Sequence, residues 1–304
     1  MGSRANALDG FLNLWKPKGP TSSQVVQWVR RWSSVNRVGH GGTLDPTAEG
    51  ILPIGLGYGT RLLEFIPPPK VYRATVLFGV ETDTYDAAGE VVARGDAGNL
   101  DRAIVEAACR QFVGPIMQRP PLFSALKRDG TRLYRLARQG IAVEVEPRLV
   151  EVYRLELLAW EPPCAVLEVE CGPGTYIRSI AHELGQALGC GAHLNALERT
   201  RVGGFLQNEC VTADAAEQAF LDGRAADVLL PLDFPVRHWP AVQLSNEQVV
   251  EALQGKELSL SLAEGLVPAA RCAGYDSSGA LVALLALQEG AAAWHPFKAF
   301  PPRM

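Results

Sequence analysis

The sequence lacks the patterns that define zinc-binding, membrane-spanning and secreted proteins. Its six cysteines contain no CxxC pair, so a structural zinc site is not indicated. No apolar run reaches the roughly 20 residues that cross a bilayer. The N terminus meets polar and charged residues within ten positions, unlike a secretory signal. We therefore expect a cytoplasmic protein with reduced thiols and no contact with a membrane.

Motifs of several common enzyme classes are also missing. The glycine-rich stretches lack the GK[ST] that completes a phosphate-binding P-loop, and no GxSxG nucleophile motif occurs. The segment HELGQ resembles the zinc motif HExxH, but Gln186 replaces the second histidine. Asp45 and Glu49 offer only a weak glycosidase pair, because nothing in a glycine loop fixes their separation. The sequence thus predicts neither a metal nor a cofactor.

Positive charge is concentrated in one part of the chain. The 304 residues carry a net charge of −4, and 47% are hydrophobic, as in a globular protein of two domains. Residues 118–140 are nonetheless basic, with Asp129 as their single acid and with Phe123 and Tyr134 interleaved. Such a segment is typical of an RNA-phosphate surface, the alternative being a solvated helix face. Its cations are Arg119, Lys127, Arg128, Arg132, Arg135 and Arg138. Smaller basic groups are Arg30, Arg31 and Arg37, and Arg199 and Arg201.

The hydrophobic pattern predicts strands and helices without a regular βαβ rhythm. ILPIGLG (51–57) is typical of a buried strand, and Thr21 to Ser23 offer N-caps to the helix that follows them. LDRAIVEAACRQFVG is an amphipathic helix that we expect Gly114 to close. We predict an α+β fold with a mixed, mainly antiparallel central sheet and flanking helices. The proline-rich stretch near residue 235 predicts a junction between a larger domain, 1–235, and a small β-rich domain, 236–304.

A glycine-rich loop surrounds Asp45 in VGHGGTLDPTAEGILPIGLG (38–57). One interpretation is an Asp-Pro turn, which is common at the first position of a type I turn. The other is a catalytic carboxylate, because glycines let a ligand approach and the following strand anchors the loop. His40, in the same loop, is either a surface histidine or a contact to a polar ligand.

Aromatic and basic residues elsewhere could complete a site. Tyr176 and Arg178 occupy alternate positions of a segment that we expect to be extended, so both could face the same space. An arginine beside a partly buried aspartate favours the ionised carboxylate. Tyr72 and Tyr176 could stack on a nucleic-acid base, with core packing as the alternative for each.

Five blocks of sequence, in a fixed order, carry more information than any single motif. They cover most of residues 11–205 and read GFLNLWKPKGPTS, GHGGTLDPTAEGILPIGLG, KVYRATVLFGVETDTYDAAGE, FSALKRDGTRLYRLARQG and CGPGTYIRSIAHELGQALGCGAHLNALERT. In these blocks the chain resembles the bacterial TruB-type tRNA pseudouridine-55 synthases (pseudouridine synthase II family). The resemblance implies the pseudouridine synthase fold, followed by a small domain loosely similar to the RNA-binding PUA domain.

The resemblance also implies roles for individual residues. Asp45 would be the nucleophile, Arg178 its ionic partner, and Tyr72 the residue that covers the target base. The implied contacts to the flipped nucleotide are His40, Tyr176 and Leu197. Lys16 and Pro17 would support the floor of the active site, and Arg132 and Arg135 would bind the RNA.

Two positions depart from the family's pattern. Gly41 replaces a small hydroxyl residue, and Glu198 is acidic where many relatives are basic. The implied partner is the T-arm stem-loop of tRNA, bound by a monomer without guide RNA, cofactor or metal. Two alternatives stay open: a non-catalytic RNA-binding or tRNA-folding protein, and a guide-RNA-dependent pseudouridine synthase subunit.

Overall fold

The computed structural model describes residues 8–123, 145–260, 271–287 and 293–302, and the backbone of two short strands at 127–128 and 131–132. The helices in these residues are α1 (Ser22–Ser33), α2 (Arg102–Arg110), α3 (Ile177–Ala187), α4 (Ala213–Leu221) and α5 (Asn246–Leu253). The strands are β1 (Gly10–Lys16), β2 (Val38–His40), β3 (Glu49–Leu56), β4 (Lys70–Phe78), β5 (Val80–Thr82), β6 (Val91–Arg94), β7 (Gly114–Gln118), β8 (Lys127–Arg128), β9 (Thr131–Arg132), β10 (Arg148–Glu161), β11 (Cys164–Cys171), β12 (Ala192–Val202), β13 (Phe205–Leu206), β14 (Leu229–Leu230), β15 (Ala241–Gln243), β16 (Arg271–Tyr275), β17 (Leu281–Leu287) and β18 (Trp294–Ala299).

A large mixed sheet forms the centre of the molecule. Its order is β14-β1-β3-β12-β4-β11-β10-β7, with β2 added to β3 and β13 added to β12. Neighbouring strands are antiparallel except β3 and β12, which are parallel. Helices α1 and α4 pack near β1 and β2, whereas α2 and α3 pack against β10, β4 and β12. The predicted α+β fold with a mainly antiparallel sheet is therefore confirmed.

The first helix is specified by its cap and by one apolar face. Thr21 accepts a hydrogen bond from the Gln24 backbone N–H, and the Gln24 side chain accepts one from the Thr21 N–H, which completes a capping box. Val25, Val26 and Val29 are buried in the same cluster as Leu14 and other residues of β1 and β3. The helix therefore holds the β1 side of the sheet in place.

Strand β3 anchors the glycine-rich loop. Its residues from Gly50 to Leu56 are all buried, as the sequence predicts. Gly50 has a φ of +119°, and a Cβ there would lie 2.3 Å from the Arg199 carbonyl oxygen of β12. Only glycine allows the two parallel strands to approach so closely at this point. Because β2 pairs with β3, both ends of the 41–48 loop are fixed to the sheet.

A second, smaller sheet lies at the C-terminal end. Its order is β15-β16-β17-β18, and α5 packs against β17 and β18. Phe11, Leu62 and Val202 of the larger part share one apolar cluster with Leu284 and Phe300 of the smaller part. The β-rich character of this end is confirmed. The domain boundary between residues 235 and 236 stays a prediction.

The end of α2 differs from the expectation that Gly114 closes it. The helix ends at Arg110, and Gln111 caps it through a bond from its N–H to the Ala108 carbonyl. Two further turns, at Phe112 and Val113, lead the chain away without a left-handed residue. Gly114 instead begins β7, with a φ of +100°. Among the described residues, no helix is long and apolar enough to cross a membrane.

Candidate active site

Asp45, in the loop between β2 and β3, and Arg178, in the first turn of α3, form an ion pair. Nη2 of Arg178 lies 3.0 Å from Oδ2 of Asp45. The Arg178 side chain is 6% exposed and the Asp45 side chain 36% exposed, so the cation is fixed in the protein while the carboxylate reaches solvent. This is the geometry of a positioned, accessible carboxylate rather than of a surface salt bridge.

The structure shows the turn at Asp45 that the sequence predicts, while the catalytic role of its carboxylate stays a prediction. Its backbone carbonyl accepts a hydrogen bond from the Ala48 N–H at 3.1 Å, as in a β-turn. Leu44, directly before it, is fixed by Ser22 of α1, whose Oγ donates to the Leu44 carbonyl and accepts from the Leu44 N–H. The turn therefore sets the position of the carboxylate that pairs with Arg178.

Arg199 supports the same loop from below and is not part of a surface basic patch. Its side chain is fully buried. Nε donates to the Ile51 carbonyl at 2.7 Å, Nη1 to the Thr43 carbonyl at 3.2 Å and Nη2 to the Gly42 carbonyl at 3.1 Å. The prediction that Arg199 belongs to a phosphate-binding group is wrong, because the loop backbone already takes up its hydrogen bonds. Arg201, by contrast, is exposed.

Lys16 lies beneath the loop as a second buried cation. Nζ donates to the Pro17 carbonyl at 2.8 Å and to the Ala48 carbonyl at 2.7 Å. Burial lowers the pKa of Lys16 to about 8, while the negative charge of Asp45 opposes that shift. Lys16 therefore contacts the back of the turn that carries Asp45.

A cavity of about 300 Å³ opens beside the ion pair. It brings together five of the site residues predicted from the sequence: Asp45, Tyr72, Tyr176, Arg178 and Leu197. The other lining residues are Thr43, Leu44, Lys70, Gly174, Thr175 and Ile177. Tyr72 and Leu197 also belong to the buried core, so the core-packing alternative and the site role of Tyr72 are compatible.

Tyr176 and Arg178 reach the cavity in a different way from the one expected. Tyr176 is the N-cap residue of α3, and Arg178 lies in the first turn of the helix, so the segment is not extended. The Tyr176 side chain makes no capping bond. Gln118 of β7 instead fixes the backbone of Tyr176, accepting from its N–H at 2.7 Å and donating to its carbonyl at 3.0 Å. No side chain next to the helix start acts as a cap, and a residue of a distant strand holds the segment that leads into the helix.

The guanidinium of Arg178 also contacts a second carboxylate and two backbone carbonyls. Nη1 lies 3.7 Å from Oδ2 of Asp86, and the guanidinium donates to the Thr84 and Phe123 carbonyls at 3.3 and 3.1 Å. Asp86 is itself fixed by the Thr84 hydroxyl at 2.7 Å and the Ala88 N–H at 3.0 Å. Sequence reasoning missed Asp86, although the polar turn TDTYDAAG in which it lies was visible.

Lys70 is a further residue that sequence reasoning missed. It lines the cavity two positions before Tyr72 on β4, and residues at that spacing share one face of a strand. Burial lowers the pKa of Lys70, and the nearby Arg199 lowers it further. Burial raises the pKa of Tyr72, although Arg199, which is hydrogen-bonded to the phenol, acts in the opposite direction. The cavity wall therefore presents a neutral phenol beside a lysine amine whose charged form is disfavoured by burial.

His40 does not line the cavity. It lies in a neighbouring groove, and its Nδ1 accepts a hydrogen bond from the Gly42 N–H at 3.3 Å. Burial, followed by the charges of Arg199 and Lys70, lowers the pKa of His40, so the ring is neutral at physiological pH. Arg132 and Arg135 lie where the structure does not describe side chains. Their predicted contact with RNA stays a prediction.

The two departures from the family's pattern have structural partners. A Cβ at Gly41 would lie 2.5 Å from Cδ1 of Ile66, so the space of a side chain there is already filled. Glu198 pairs with Arg73 at 3.5 Å and accepts from the Gln207 amide at 2.6 Å. Among the described residues, no cluster of His, Cys, Asp or Glu could hold a metal ion. That the reaction needs no metal or cofactor stays a prediction.

Known proteins with similar sequence cover nearly the whole chain. Residues 30–177 match the TruB family pseudouridylate synthase N-terminal domain, and residues 178–237 match the tRNA pseudouridylate synthase B C-terminal domain. The tRNA pseudouridine synthase B of Dehalococcoides mccartyi is 44% identical over 295 residues, 96% of this chain and 97% of that protein. The enzyme of the same name from Pseudomonas aeruginosa is 42% identical over 82% of this chain and 83% of its own.

Solved structures agree in fold. A Cbf5–Nop10–Gar1 complex aligns over 97% of this chain and 85% of the matched chain, with a TM-score of 0.74 and 30% identity. An H/ACA RNP bound to a substrate RNA gives a TM-score of 0.73 at 28% identity, over 97% and 86% of the two chains. The fold is that of the pseudouridine synthases, which are isomerases. Within that class, the chain belongs to the TruB family of pseudouridylate synthases.

Proposed function

We propose that the protein converts uridine 55 in the T loop of tRNA to pseudouridine, with Asp45 as the nucleophile. The observation that carries the proposal is the Asp45–Arg178 pair, 3.0 Å apart beside a cavity of about 300 Å³. Relatives named tRNA pseudouridine synthase B support tRNA as the substrate. The proposal includes a cytoplasmic monomer that binds the T-arm stem-loop without guide RNA, cofactor or metal.

The reaction replaces one bond of uridine with another. The N1–C1′ bond breaks, the uracil turns within the site, and C5 joins C1′; the C5 hydrogen leaves as a proton and N1 gains a proton. No electron is transferred and no group is added. The reaction needs an ionised carboxylate close to the ribose or the ring. Asp45 supplies it from a loop that is fixed at both ends.

Arg178 orients this carboxylate. Its side chain is 6% exposed, and its guanidinium is already bonded to the Thr84 and Phe123 carbonyls, so it is held in place before substrate binds. An oxygen of Asp45 held 3.0 Å from such a donor is positioned before the substrate arrives. The role of Arg178 is therefore to orient the nucleophile.

The target base must leave the RNA stack to reach Asp45. Flipping a base costs a few kcal/mol. Stacking on an aromatic side chain contributes roughly 1–3 kcal/mol per base, and Tyr72 and Tyr176 both line the cavity. Leu197 closes an apolar part of the wall. Such a cavity offsets the cost of flipping and retains the uracil while it is detached from the ribose.

The test is isomerisation of a bare T-arm stem-loop by the purified chain. With [5-³H]uridine in the RNA, each turnover releases tritium, and we expect release by the wild type at the uridine 55 position only. Asp45→Asn should release none while binding the RNA with a Kd close to that of the wild type. Turnover by Asp45→Asn, or loss of its binding, would refute the role of Asp45 as nucleophile.

The same assay separates the two alternatives. A non-catalytic RNA-binding protein would bind the stem-loop but release no tritium. A subunit of an RNA–protein particle, which the similarity to the H/ACA RNP structure favours as a second candidate, would need added guide RNA before any release. Tritium release by the chain alone contradicts both alternatives.

A further inference from the structure

A second concave surface lies beside the catalytic loop. This groove has a volume of about 620 Å³ and is formed by α1, by β2 and by the turn that precedes β2. Its polar lining residues are Ser23, Gln27, Arg30, Asn36, Arg37, His40 and Thr60. None of its lining residues lines the cavity that contains Asp45. The groove is therefore a surface separate from that cavity.

The charge of the groove is suited to an anion. Two arginines line it and no acidic residue does. Arg37 is exposed and forms no ion pair within the described ranges. Arg30 donates from Nη1 to Gln27 at 3.1 Å and from Nη2 to the Val38 carbonyl at 3.4 Å, but its Nε is buried without a partner among the described residues. Guanidinium groups that are not paired with carboxylates are well suited to phosphate.

His40 adds a neutral donor to the same surface. Because its Nδ1 accepts from the Gly42 N–H, the proton of the neutral ring is on Nε2. Arginine side chains, an imidazole N–H and the amides of Gln27 and Asn36 together fit a phosphate with its ribose and base edge.

The groove also lies within reach of the nucleotide at Asp45. His40 lines the groove and Thr43 lines the cavity, three residues further along the same loop. At about 3.8 Å between successive Cα atoms, the two lie no more than about 11 Å apart. One or two nucleotides of an RNA strand span such a distance.

We propose that this groove binds the phosphodiester backbone of the RNA next to the flipped uridine, with Arg37 and Arg30 as the phosphate contacts. The inference rests on the proposed function, since it assumes that a uridine of an RNA strand occupies the cavity. The strand then crosses the His40–Asp45 loop, with its target nucleotide on one side and a neighbouring phosphate on the other.

The test pairs a protein variant with removal of a single phosphate charge. T-arm stem-loops are prepared with one neutral methylphosphonate at each of the two linkages on either side of the target uridine, each with a matched all-phosphate RNA. Binding is measured with Asp45→Asn protein, so that no RNA is converted. Arg37→Gln should weaken binding of all-phosphate RNA about tenfold and reduce the salt slope of log Kd by about 0.7.

The decisive result is whether the losses of binding caused by Arg37→Gln and by a methylphosphonate are additive. At the linkage held by the groove, the methylphosphonate and Arg37→Gln should each cost about tenfold separately, and no more than about tenfold together. Arg31→Gln is the matched control, because Arg31 is exposed next to Arg30 on α1 but does not line the groove. Its effect should be small and equal on every RNA. If Arg37→Gln costs the same factor on all methylphosphonate RNAs, the groove does not hold that backbone.

A second variant, Arg30→Gln, tests the same groove, with a measurement of stability to detect a folding defect. Arg30→Gln loses the bond to the Val38 carbonyl, so its melting temperature is measured beside its Kd. A folded Arg30→Gln protein should show the same non-additivity at the same linkage, and full additivity would count against the proposal. Wild-type turnover of the all-phosphate RNA is measured in parallel. If the effects of the arginine variants and the methylphosphonates on Kd are additive while the wild type is active, only the proposal about the groove is overturned. If the wild type is inactive, the proposed function is overturned and this inference falls with it.

Discussion

Asp86 and Arg178 form a buried contact through a different guanidinium nitrogen from the one that contacts Asp45. Their side chains are 9% and 6% exposed, and Oδ2 of Asp86 lies 3.7 Å from Nη1 of Arg178. The same guanidinium holds Asp45 through Nη2. One cation thus lies between a carboxylate that is accessible and one that is not. The buried carboxylate fixes the cation, and the cation fixes the Asp45 carboxylate.

We expect Asp86→Asn to lower kcat without a comparable change in Kd for tRNA. The amide cannot balance the Arg178 charge, so the guanidinium is less firmly held and Asp45 loses its alignment; a loss of about tenfold to a hundredfold corresponds to about 1.4–2.7 kcal/mol. Single-turnover rates and Kd values on the same RNA provide the measurement. Arg178→Met should lose more, because it removes the Asp45 contact itself. Asp83→Asn in the same turn is the control, and an equal loss there would mean that only the turn had been disturbed.

The buried hydrogen bonds of Arg199 lead to a prediction about the stability of the protein. Arg199→Met removes the donors to the Ile51, Thr43 and Gly42 carbonyls in a fully buried position. Each unsatisfied buried acceptor costs about 1–3 kcal/mol, so the free energy of unfolding should fall by several kcal/mol. Urea unfolding measures this change. Arg201→Met, on the exposed neighbour in β12, should change it by less than about 1 kcal/mol, and equal effects would show that the bonds to the loop contribute little.

The sequence predicts the fold and the centre of the site for identifiable reasons. The continuous apolar run from Ile51 to Leu56 is typical of a buried strand, and the glycine-rich loop before it indicated Asp45 as a candidate. The pairing of Asp45 with Arg178 followed from the family resemblance. Lys70 was within reach of the same reasoning, since it lies two residues before Tyr72 on one strand face.

Other features depend on contacts between distant parts of the chain. From the sequence, Arg199 is interpreted as a surface cation. Its hydrogen-bond acceptors are backbone carbonyls of another strand and of a loop, and no residue pattern encodes these contacts. The start of α3 is held by Gln118, nearly sixty positions earlier, which bonds to the backbone of Tyr176, and no local residue pattern encodes this contact. The second carboxylate beside Arg178, that of Asp86, is recognisable only when its turn is folded against the guanidinium.

The basic segment leads to a prediction about RNA affinity. Reversing the charges of Arg132 and Arg135 to glutamate should weaken tRNA binding and reduce the slope of log Kd against log salt. The slope should fall by about 0.7–0.9 for each RNA phosphate that the variant no longer neutralises. Binding measured across a range of salt concentrations checks this prediction. Charge reversal at Arg94, an exposed residue of β6, is the control, and an unchanged slope in the double variant would show that the segment faces solvent only.

Lys16 leads to a prediction about pH. Burial lowers its pKa in the folded protein from 10.5 to about 8. Between these two pH values the unfolded chain binds more protons at this site than the folded protein does. The free energy of unfolding of the wild type should therefore rise with pH relative to that of Lys16→Met, by at most about 1.4 kcal/mol per pH unit. Below pH 8 both states are protonated, and the difference between the two proteins should be constant.

Urea unfolding of both proteins at pH 7, 8, 9 and 10 measures this difference, in which the titration of other groups cancels. Lys18→Met is the matched control, because the Lys18 side chain is 54% exposed and pairs with Glu49 only at 3.5 Å. Its difference from the wild type should stay flat across the same range. If the Lys16→Met difference were flat as well, Lys16 would titrate equally in the folded and unfolded chains. The buried ammonium beneath the Asp45 turn would then carry no desolvation cost.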